Sequence, residues 1–79
     1  MTRENLQTWV VEALAGLGGS GSVVDVSRAV WQRHEGDLRT AGDLFFTWQY
    51  DLRWAANVLR ARGKLRPATV SPRGVWELA

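Results

Sequence analysis

Apolar residues near the start of the chain recur at the spacing of one face of an α-helix. The residues that follow this pattern are Leu6, Val10, Ala13, Leu14 and Leu17, with Trp9 beside them. The pattern predicts a first helix over about residues 3–16, with Thr2 placed to cap its N-terminus. The next stretch, GLGGSGS, holds four glycines and two serines, a composition that predicts the end of the helix and a loop.

A second, shorter apolar pattern follows this loop. Val23 and Val24 predict a short extended segment, and Asp25 is a favourable N-cap for a second helix over about residues 25–35. The apolar face of this helix would consist of Val26, Ala29 and Val30. Gly36 follows the helix directly and predicts its C-terminal end.

The most regular pattern lies in the middle of the chain, where successive apolar residues are 3, 4, 3 and 4 positions apart. These residues are Phe45, Trp48, Leu52, Ala55 and Leu59. They predict one buried stripe on a third helix over about residues 47–62. Either Asp43 or Thr47 can cap its start, and the sequence leaves both open. Gly63 predicts its end.

The last part of the chain has the pattern of a β-hairpin. We predict strands at 65–70 and 75–78 joined by the turn SPRG, with Pro67 restricting the first strand to a sheet edge. The predicted order is helix, short strand, helix, helix and hairpin. This order is typical of a winged helix-turn-helix, an α+β, mainly α fold, with residues 1–79 as a single domain and the wing at about 65–78.

The composition excludes several classes of protein. The chain has no cysteine, which excludes disulfides, cysteine-ligated zinc and thiol chemistry. No stretch approaches the roughly 20 apolar residues of a membrane span, and the N-terminus lacks the pattern of a signal peptide. We therefore expect a cytoplasmic protein without a membrane partner.

No catalytic constellation is evident. The acidic residues are dispersed, the chain has one histidine, and GLGGSG lacks the lysine of a phosphate-binding loop. We expect no enzyme activity, no cofactor and no metal site from this chain. His34 is expected to be a solvated histidine at the end of the second helix, where a cation is favoured.

Charge is distributed unevenly along the chain. Residues 45–79 carry six basic and two acidic side chains, whereas residues 1–44 carry four basic and six acidic ones. A basic half on a small domain attracts polyanions. The distribution therefore favours nucleic acid as a partner.

Two stretches, RWAANVLRARGKL at 53–65 and SPRGVWEL at 71–78, resemble the winged-helix domain at the N-terminus of Mrr-type restriction endonucleases. The resemblance covers the last part of the chain well and the first half only by the order of its helices. It implies a DNA-binding specificity module of a bacterial restriction or defence protein, often one that targets modified DNA. This chain has no room for a nuclease, so the resemblance implies binding without cleavage, with a nuclease domain linked in a longer parent protein.

The third helix and the hairpin supply the candidate contacts to duplex DNA, either unmodified or methylated. Arg, Asn and Gln can form paired hydrogen bonds with base edges, and the N-terminal part of a recognition helix enters the groove deepest. The candidates for base contact are Thr47, Gln49, Tyr50 and Arg53. Asn57 and Arg60 are candidates for the DNA backbone. The candidates from the hairpin are Lys64, Arg66, Ser71 and Arg73.

Other interpretations stay open at this point. Trp54 either packs structurally or forms a wall of the base-reading surface, and Trp31 poses the same question, with packing beneath residues 36–46 as the structural alternative. A winged helix can also serve protein–protein interaction or dimerisation, with Trp31, Tyr50 and Trp54 as an apolar patch. A transcriptional regulator would share the DNA-binding mechanism. The sequence does not specify the target or the oligomeric state.

Overall fold

The computed structural model describes residues 2–79, which form three helices and a two-stranded antiparallel sheet. The elements in chain order are α1 Asn5–Gly16, β1 Ser20–Ser22, α2 Val23–Arg39, α3 Leu44–Ala61 and β2 Val75–Glu77. The mainly helical content is confirmed, as is the order of the three helices with a strand after the first. Within residues 2–79, no helix is both long enough and apolar enough to cross a lipid bilayer.

The first helix begins later than predicted. Glu4 occupies the N-cap position, and its side chain makes no capping hydrogen bond. Thr2 precedes the cap, and its backbone N–H donates to Asn5 Oδ1 at 2.9 Å. At the other end Gly19 has a φ of 103° and donates its N–H to the Leu14 carbonyl at 2.8 Å. Because left-handed backbone favours glycine, the glycine-rich loop ends α1 as the sequence predicted.

The second helix starts earlier than predicted because its cap is a different residue. Ser22 is the N-cap, and its Oγ accepts a hydrogen bond from the Asp25 backbone N–H at 3.0 Å. A serine hydroxyl at this position satisfies one of the unpaired N–H groups of the first turn. Val23 and Val24 therefore belong to α2, and the extended segment predicted there lies just before them in β1.

The second helix also continues past Gly36, where its end was predicted. His34 leaves helical geometry, with φ −125° and ψ 20°, which kinks the helix before it resumes as far as Arg39. Gly36 does not adopt positive φ, so it does not terminate the helix. The additional turn brings Leu38 into the core, where it is fully buried, and burial of an apolar side chain of this size stabilises the extension.

The third helix begins at Leu44, before the predicted start. Asp43 holds the N-cap position without a side-chain capping bond, and Thr47 lies inside the helix. Asp43 is therefore the N-cap by position, although neither Asp43 nor Thr47 caps the helix with its side chain. The helix ends at Ala61, shortly before Gly63, which has a φ of 74°.

The C-terminal segment does not form the predicted hairpin. Its strand β2 pairs with β1, on the far side of α2 and α3 in sequence. The antiparallel register aligns three pairs of residues: Ser20 with Glu77, Gly21 with Trp76 and Ser22 with Val75. The predicted pairing of residues 65–70 with residues 75–78 is wrong over most of its length.

A single bridge remains of the first predicted hairpin strand. Leu65 pairs with Leu78, and the Arg66 N–H donates to the Glu77 carbonyl at 2.9 Å. The ladder stops there because Pro67 has no N–H to donate. Residues 66–74 instead run through turns from the end of α3 to β2.

The core lies between the three helices and is closed by β2. Trp9, Trp48 and Trp76 are all buried, as predicted, with exposed fractions of 8%, 6% and 5%. Leu17 was predicted on the buried face of the first helix, but it is 41% exposed because it follows the helical end. The closing of the core by Trp76 ties the C-terminal segment to the helices.

Candidate functional site

The outward face of α3 carries polar and aromatic side chains side by side. At 100° per residue, these positions fall within an arc of roughly 100° around the helix axis. They are Phe46, Gln49, Tyr50, Arg53 and Asn57, all exposed to solvent. Phe46 and Tyr50 stand out, with exposed fractions of 83% and 77%. The row is continuous over the outer side of the helix.

A cleft of about 640 Å³ separates this face from the segment that leads into β2. Arg53, Asn57 and Arg60 contribute from α3, and Arg73 contributes from the opposite wall. None of the residues that line the cleft is acidic. Among residues 2–79, the three arginines make no ion pair with a carboxylate. Three guanidinium groups without a neutralising carboxylate give the cleft a positive potential.

Arg60 connects the two walls of this cleft. Its Nε donates to the Arg66 carbonyl at 3.3 Å, and its Nη2 lies 3.5 Å from the Val75 carbonyl. The side chain therefore holds α3 against both ends of the C-terminal segment. The remaining N–H groups of its five-donor guanidinium are left for other partners. Its contact with a DNA backbone stays a prediction.

Ser71 lines the same cleft from a buried position. The residue is 7% exposed, and its hydroxyl has no hydrogen-bond partner among the described residues. The Ser71 backbone N–H donates to the Pro67 carbonyl at 3.2 Å in the turn. The side-chain oxygen is out of reach of a docked ligand in this arrangement. Ser71 therefore shapes the segment that presents Arg73.

A second groove, of about 380 Å³, joins the start of α3 to the start of α2. Gln49, Tyr50 and Arg53 line one side, and Val24 and Ser27 line the other. The sequence pattern does not predict this contribution of α2, because it places Val24 in an extended segment before the helix. Because α2 starts at Val23, Val24 is an apolar residue on the outer face of a helix, with an exposed fraction of 63%.

Thr47 is partly occupied by an internal contact. Its hydroxyl donates to Asp51 Oδ2 at 2.8 Å, one turn further along α3. Asp51 is 9% exposed, so the hydrogen bond satisfies a nearly buried carboxylate. The Thr47 side chain is less available for a base contact than Gln49 or Arg53. Its place in the base-contact set stays a prediction.

The half-buried Trp54 packs against the core of the helices. The guanidinium carbon of Arg3 lies 3.9 Å from the centroid of its ring, a cation–π contact across the start of α1. One face of the indole is thus covered by Arg3. This arrangement favours the structural alternative over the wall of a base-reading surface.

Lys64 and Arg66 lie apart from the cleft. Lys64 lines a groove formed by α1 and the end of α3, and Arg66 lies at the edge of the sheet near Ser20 and Glu77. The structure brings together Arg53, Asn57, Arg60, Ser71 and Arg73, and Gln49 and Tyr50 lie beside them. It does not bring Lys64 or Arg66 into that group.

Trp31 connects α2 with α3. Its ring stacks on Trp48, with centroids 5.9 Å apart and planes 13° from parallel. Arg39 lies above the ring at 5.2 Å. The packing partner is thus an indole of α3, and Trp31 also lines an open groove of about 460 Å³ with Phe45 and Val24.

His34 is not the solvated residue that the sequence predicted. Its ring stacks on Trp9, with centroids 3.7 Å apart and planes 4° from parallel. Its Nε2 lies 2.9 Å from Glu12 Oε1. The side chain is 18% exposed. The kink in α2 turns this histidine toward α1, where it joins the two helices.

Comparisons with protein-family models, with curated proteins and with solved structures find no match to this chain. Its function is therefore inferred from its own geometry and charge.

Proposed function

We propose that this chain binds double-stranded DNA, with α3 in the major groove and residues 66–74 against the sugar-phosphate backbone. The observation that carries the proposal is the cleft in which Arg53, Arg60 and Arg73 gather without an acidic lining residue. Contacts between basic side chains and phosphates dominate the affinity of proteins for DNA. The exposed polar row on α3 lies directly beside this cleft.

The row suits base recognition by its chemistry. The major groove admits one α-helix, and arginine and glutamine form paired hydrogen bonds with guanine and adenine edges. Gln49 and Tyr50 belong to the first half of α3 and Arg53 lies at its middle, and the N-terminal part of the recognition helix enters the groove deepest in a helix-turn-helix. Asn57 and Arg73 are further along the cleft and suit phosphate contacts. Base contact and backbone contact are thus assigned to different ends of one surface.

The finer proposal is a winged helix that acts as the specificity module of a bacterial restriction or defence protein in the cytoplasm. The order helix, strand, helix, helix, strand supports it, as does the position of residues 66–74 beside α3. The resemblance of residues 53–65 and 71–78 to Mrr-type domains supports a specificity role beside a nuclease domain in a parent protein. A transcriptional regulator would use the same surface.

Substitution of Arg53 in a salt series tests DNA binding. We expect the affinity of the wild-type chain for a duplex to fall steeply with salt, with a log–log slope of about −0.9 for each phosphate contacted. Arg53→Ala should cost about 1–3 kcal/mol on the preferred sequence. Fluorescence anisotropy with a labelled duplex, selected from a random pool, measures both.

Arg33→Ala is the matched control, because it removes the same charge from α2 on the side that faces Glu12, where the two side chains lie 3.8 Å apart. It should leave the affinity nearly unchanged. Binding that does not depend on salt, or equal losses from Arg53→Ala and Arg33→Ala, would contradict recognition by α3.

The exposed aromatics of α3 bear on the kind of duplex. Phe46 and Tyr50 are one turn apart, and apolar side chains contact the 5-methyl group of a pyrimidine in the major groove. We therefore expect tighter binding to a methylated duplex than to the same sequence without methylation. Tyr50→Ala should remove the difference. Equal affinities for the matched duplexes would overturn this preference while leaving DNA binding itself intact.

Protein binding is the second candidate function, and the exposure of Phe46 and Tyr50 favours it. Trp31 and Trp54 are half-buried in the helical packing and add less to an exposed patch. An apolar contact of this kind would change little with salt, whereas DNA binding weakens strongly. The salt series therefore separates the two functions.

A further inference from the structure

A groove of about 650 Å³ runs between α1 and the end of α3. Val11 and Ala15 of α1 and Leu59 of α3 supply its apolar surface. Arg62 crosses it, with Nη1 3.2 Å from Gln7 Oε1. The groove is thus an open, partly apolar strip along one side of a helix that is about 18 Å long.

The groove lies on the other side of the molecule from the cleft of Arg53. At 100° per residue, Arg62 and Arg53 project from opposite sides of α3. The groove and the cleft share no lining residue. A partner in the groove would therefore leave the proposed DNA surface free.

The two ends of the groove carry opposite charge. Glu4 is at the start of α1, and Lys64 lies beside the loop that follows α1. The latter placement follows from two hydrogen bonds: Ala79 N–H donates to the Lys64 carbonyl at 3.1 Å, and Leu78 N–H donates to the Gly19 carbonyl at 2.8 Å. Among residues 2–79, neither Glu4 nor Lys64 makes an ion pair within the chain.

Glu4 carries its negative charge at neutral pH. A hydrogen bond from its own backbone lowers the pKa of Glu4 below the ordinary value of 4.5, and hydrogen bonding with Thr2 acts in the same direction. The strip therefore has Glu4 at one end and Lys64 at the other, and between them the apolar Val11 and Ala15 lie beside the charged Glu12 and Arg62.

We infer that this groove is the interface of a two-fold symmetric dimer of the chain. A two-fold axis near Thr8 and Val11 sets α1 of one copy antiparallel to α1 of the other. Glu4 of each copy then faces Lys64 of the other copy, and Val11 of each copy lies near the axis, where the middle parts of the two strips meet. An isologous interface must be complementary to itself, and a strip with opposite charges at its two ends meets that condition under this rotation.

The dimer interface would be small. A standard interface covers about 800 Å² of each partner, which is about one sixth of the 4864 Å² that the described residues expose. A strip one helix long gives a small interface, so we expect a dimer that dissociates in the micromolar range. In the dimer the faces of the two α3 helices that carry Arg53 would point away from the shared groove.

Charge reversal tests the dimer without DNA present. Glu4→Lys places like charges at both ends of the dimer, and Lys64→Glu does the same with the opposite sign. Each variant alone should be monomeric at concentrations where the wild-type chain is dimeric. A mixture of the two variants should dimerise again, because a copy with two positive ends then meets a copy with two negative ends. Sedimentation velocity over micromolar to millimolar concentrations measures all four samples.

Thermal unfolding followed by circular dichroism establishes that both variants are folded, since both substitutions are at exposed positions. Recovery of association in the mixture supports the antiparallel pairing specifically. A wild-type chain that stays monomeric over the whole range overturns the inference and leaves the groove to another protein. Variants that dimerise as strongly as the wild type overturn it too, because the interface would then lie elsewhere.

Discussion

The stacked rings of Trp9 and His34 show how one residue can couple two helices. The imidazole lies flat on the indole, and its Nε2 reaches Glu12 on the same helix as Trp9. Aromatic stacking and a hydrogen bond with a carboxylate each add to the packing of apolar side chains. The residue is therefore part of the junction between α1 and α2.

We expect His34→Ala to lower the free energy of unfolding by about 2 kcal/mol, since it removes both the stack and the hydrogen bond. His34→Phe should lose less, because it retains a ring against Trp9. Urea denaturation followed by tryptophan fluorescence measures the difference. Gln32→Ala, at an exposed neighbouring position, is the control. A loss within about 0.5 kcal/mol, the range of ordinary surface substitutions, would show that the stack contributes little.

The sequence could not predict this junction from the residues around position 34. The histidine lies at the end of a regular pattern, and only the kink turns it inward. Its partners Trp9 and Glu12 are on another helix. Similarly, the sequence makes Arg60 a candidate for contact with the DNA backbone and does not reveal its partners within the chain, the carbonyls of Arg66 and Val75. A hydrogen bond to a backbone carbonyl cannot be predicted from the pattern of side chains, because every residue carries that acceptor.

At the level of elements, the two glycines near helix ends differ in conformation. Gly36 has no positive φ and nothing within 4 Å of an added Cβ, whereas Gly63 has a φ of 74°. Gly36 lies inside a helix, where glycine is less favourable than alanine. Gly63 has a left-handed conformation that alanine adopts only with strain. Sequence alone treated both as helix ends.

We expect Gly36→Ala to raise the free energy of unfolding by about 0.5–1 kcal/mol, because alanine loses less conformational entropy in a helix. Gly63→Ala should lower it by about 1–2 kcal/mol through backbone strain. Thermal melts of the two variants beside the wild type measure both shifts. Opposite signs are the expected result, and destabilisation by both would indicate that α2 ends near Gly36.

Helices were predictable and strand pairing was not, for a physical reason. The stripe from Trp48 to Leu59 is local, so its spacing alone indicates a helix. The strand Ser20–Ser22 consists of small residues without the usual β-branched or aromatic signature. Its central residue lies close to the end of α1, since an added Cβ at Gly21 would come within 2.9 Å of Leu17 Cδ1, just after the helix, and 3.9 Å of Leu14 Cδ2 within it. A residue of the predicted loop therefore lies in a strand that packs beside the helix.

For the candidate site, the sequence predicted which side chains could contact DNA but not which of them lie together. The arginines and the polar row on α3 were identified from the helical projection. Lys64 and Arg66 lie apart from the cleft in the structure, where β2 pairs with β1. The predicted hairpin instead paired β2 with residues 65–70 and grouped these two residues with Arg73. Exposure also distinguishes Arg73 from Ser71, although both belong to one predicted turn. Which basic residues lie together therefore depends on tertiary contacts such as the β1–β2 pairing, which the sequence pattern does not reveal.

On the scale of the whole molecule, Trp76 closes the core. We expect Trp76→Ala to cost about 3–5 kcal/mol, which is comparable with the total stability of a domain of this size, roughly 0.05–0.15 kcal/mol per residue. The variant should lose its cooperative thermal transition by circular dichroism. Val70→Ala, at a 61% exposed position, should keep it. Cooperative unfolding of Trp76→Ala near the wild-type temperature would mean that β2 is dispensable.

The pairing of β1 with β2 also has a kinetic consequence. It joins residues 20–22 with residues 75–77 through only three pairs, so it requires the closure of a long loop, whereas contacts within and between neighbouring helices form sooner. We expect this pair to form late in folding, when Trp76 enters the core. The segment that carries Arg73 would take its position at the same step. The basic cleft would then be completed only after the helices have formed, and a chain that loses the three-residue pairing would lose the cleft together with the closed core.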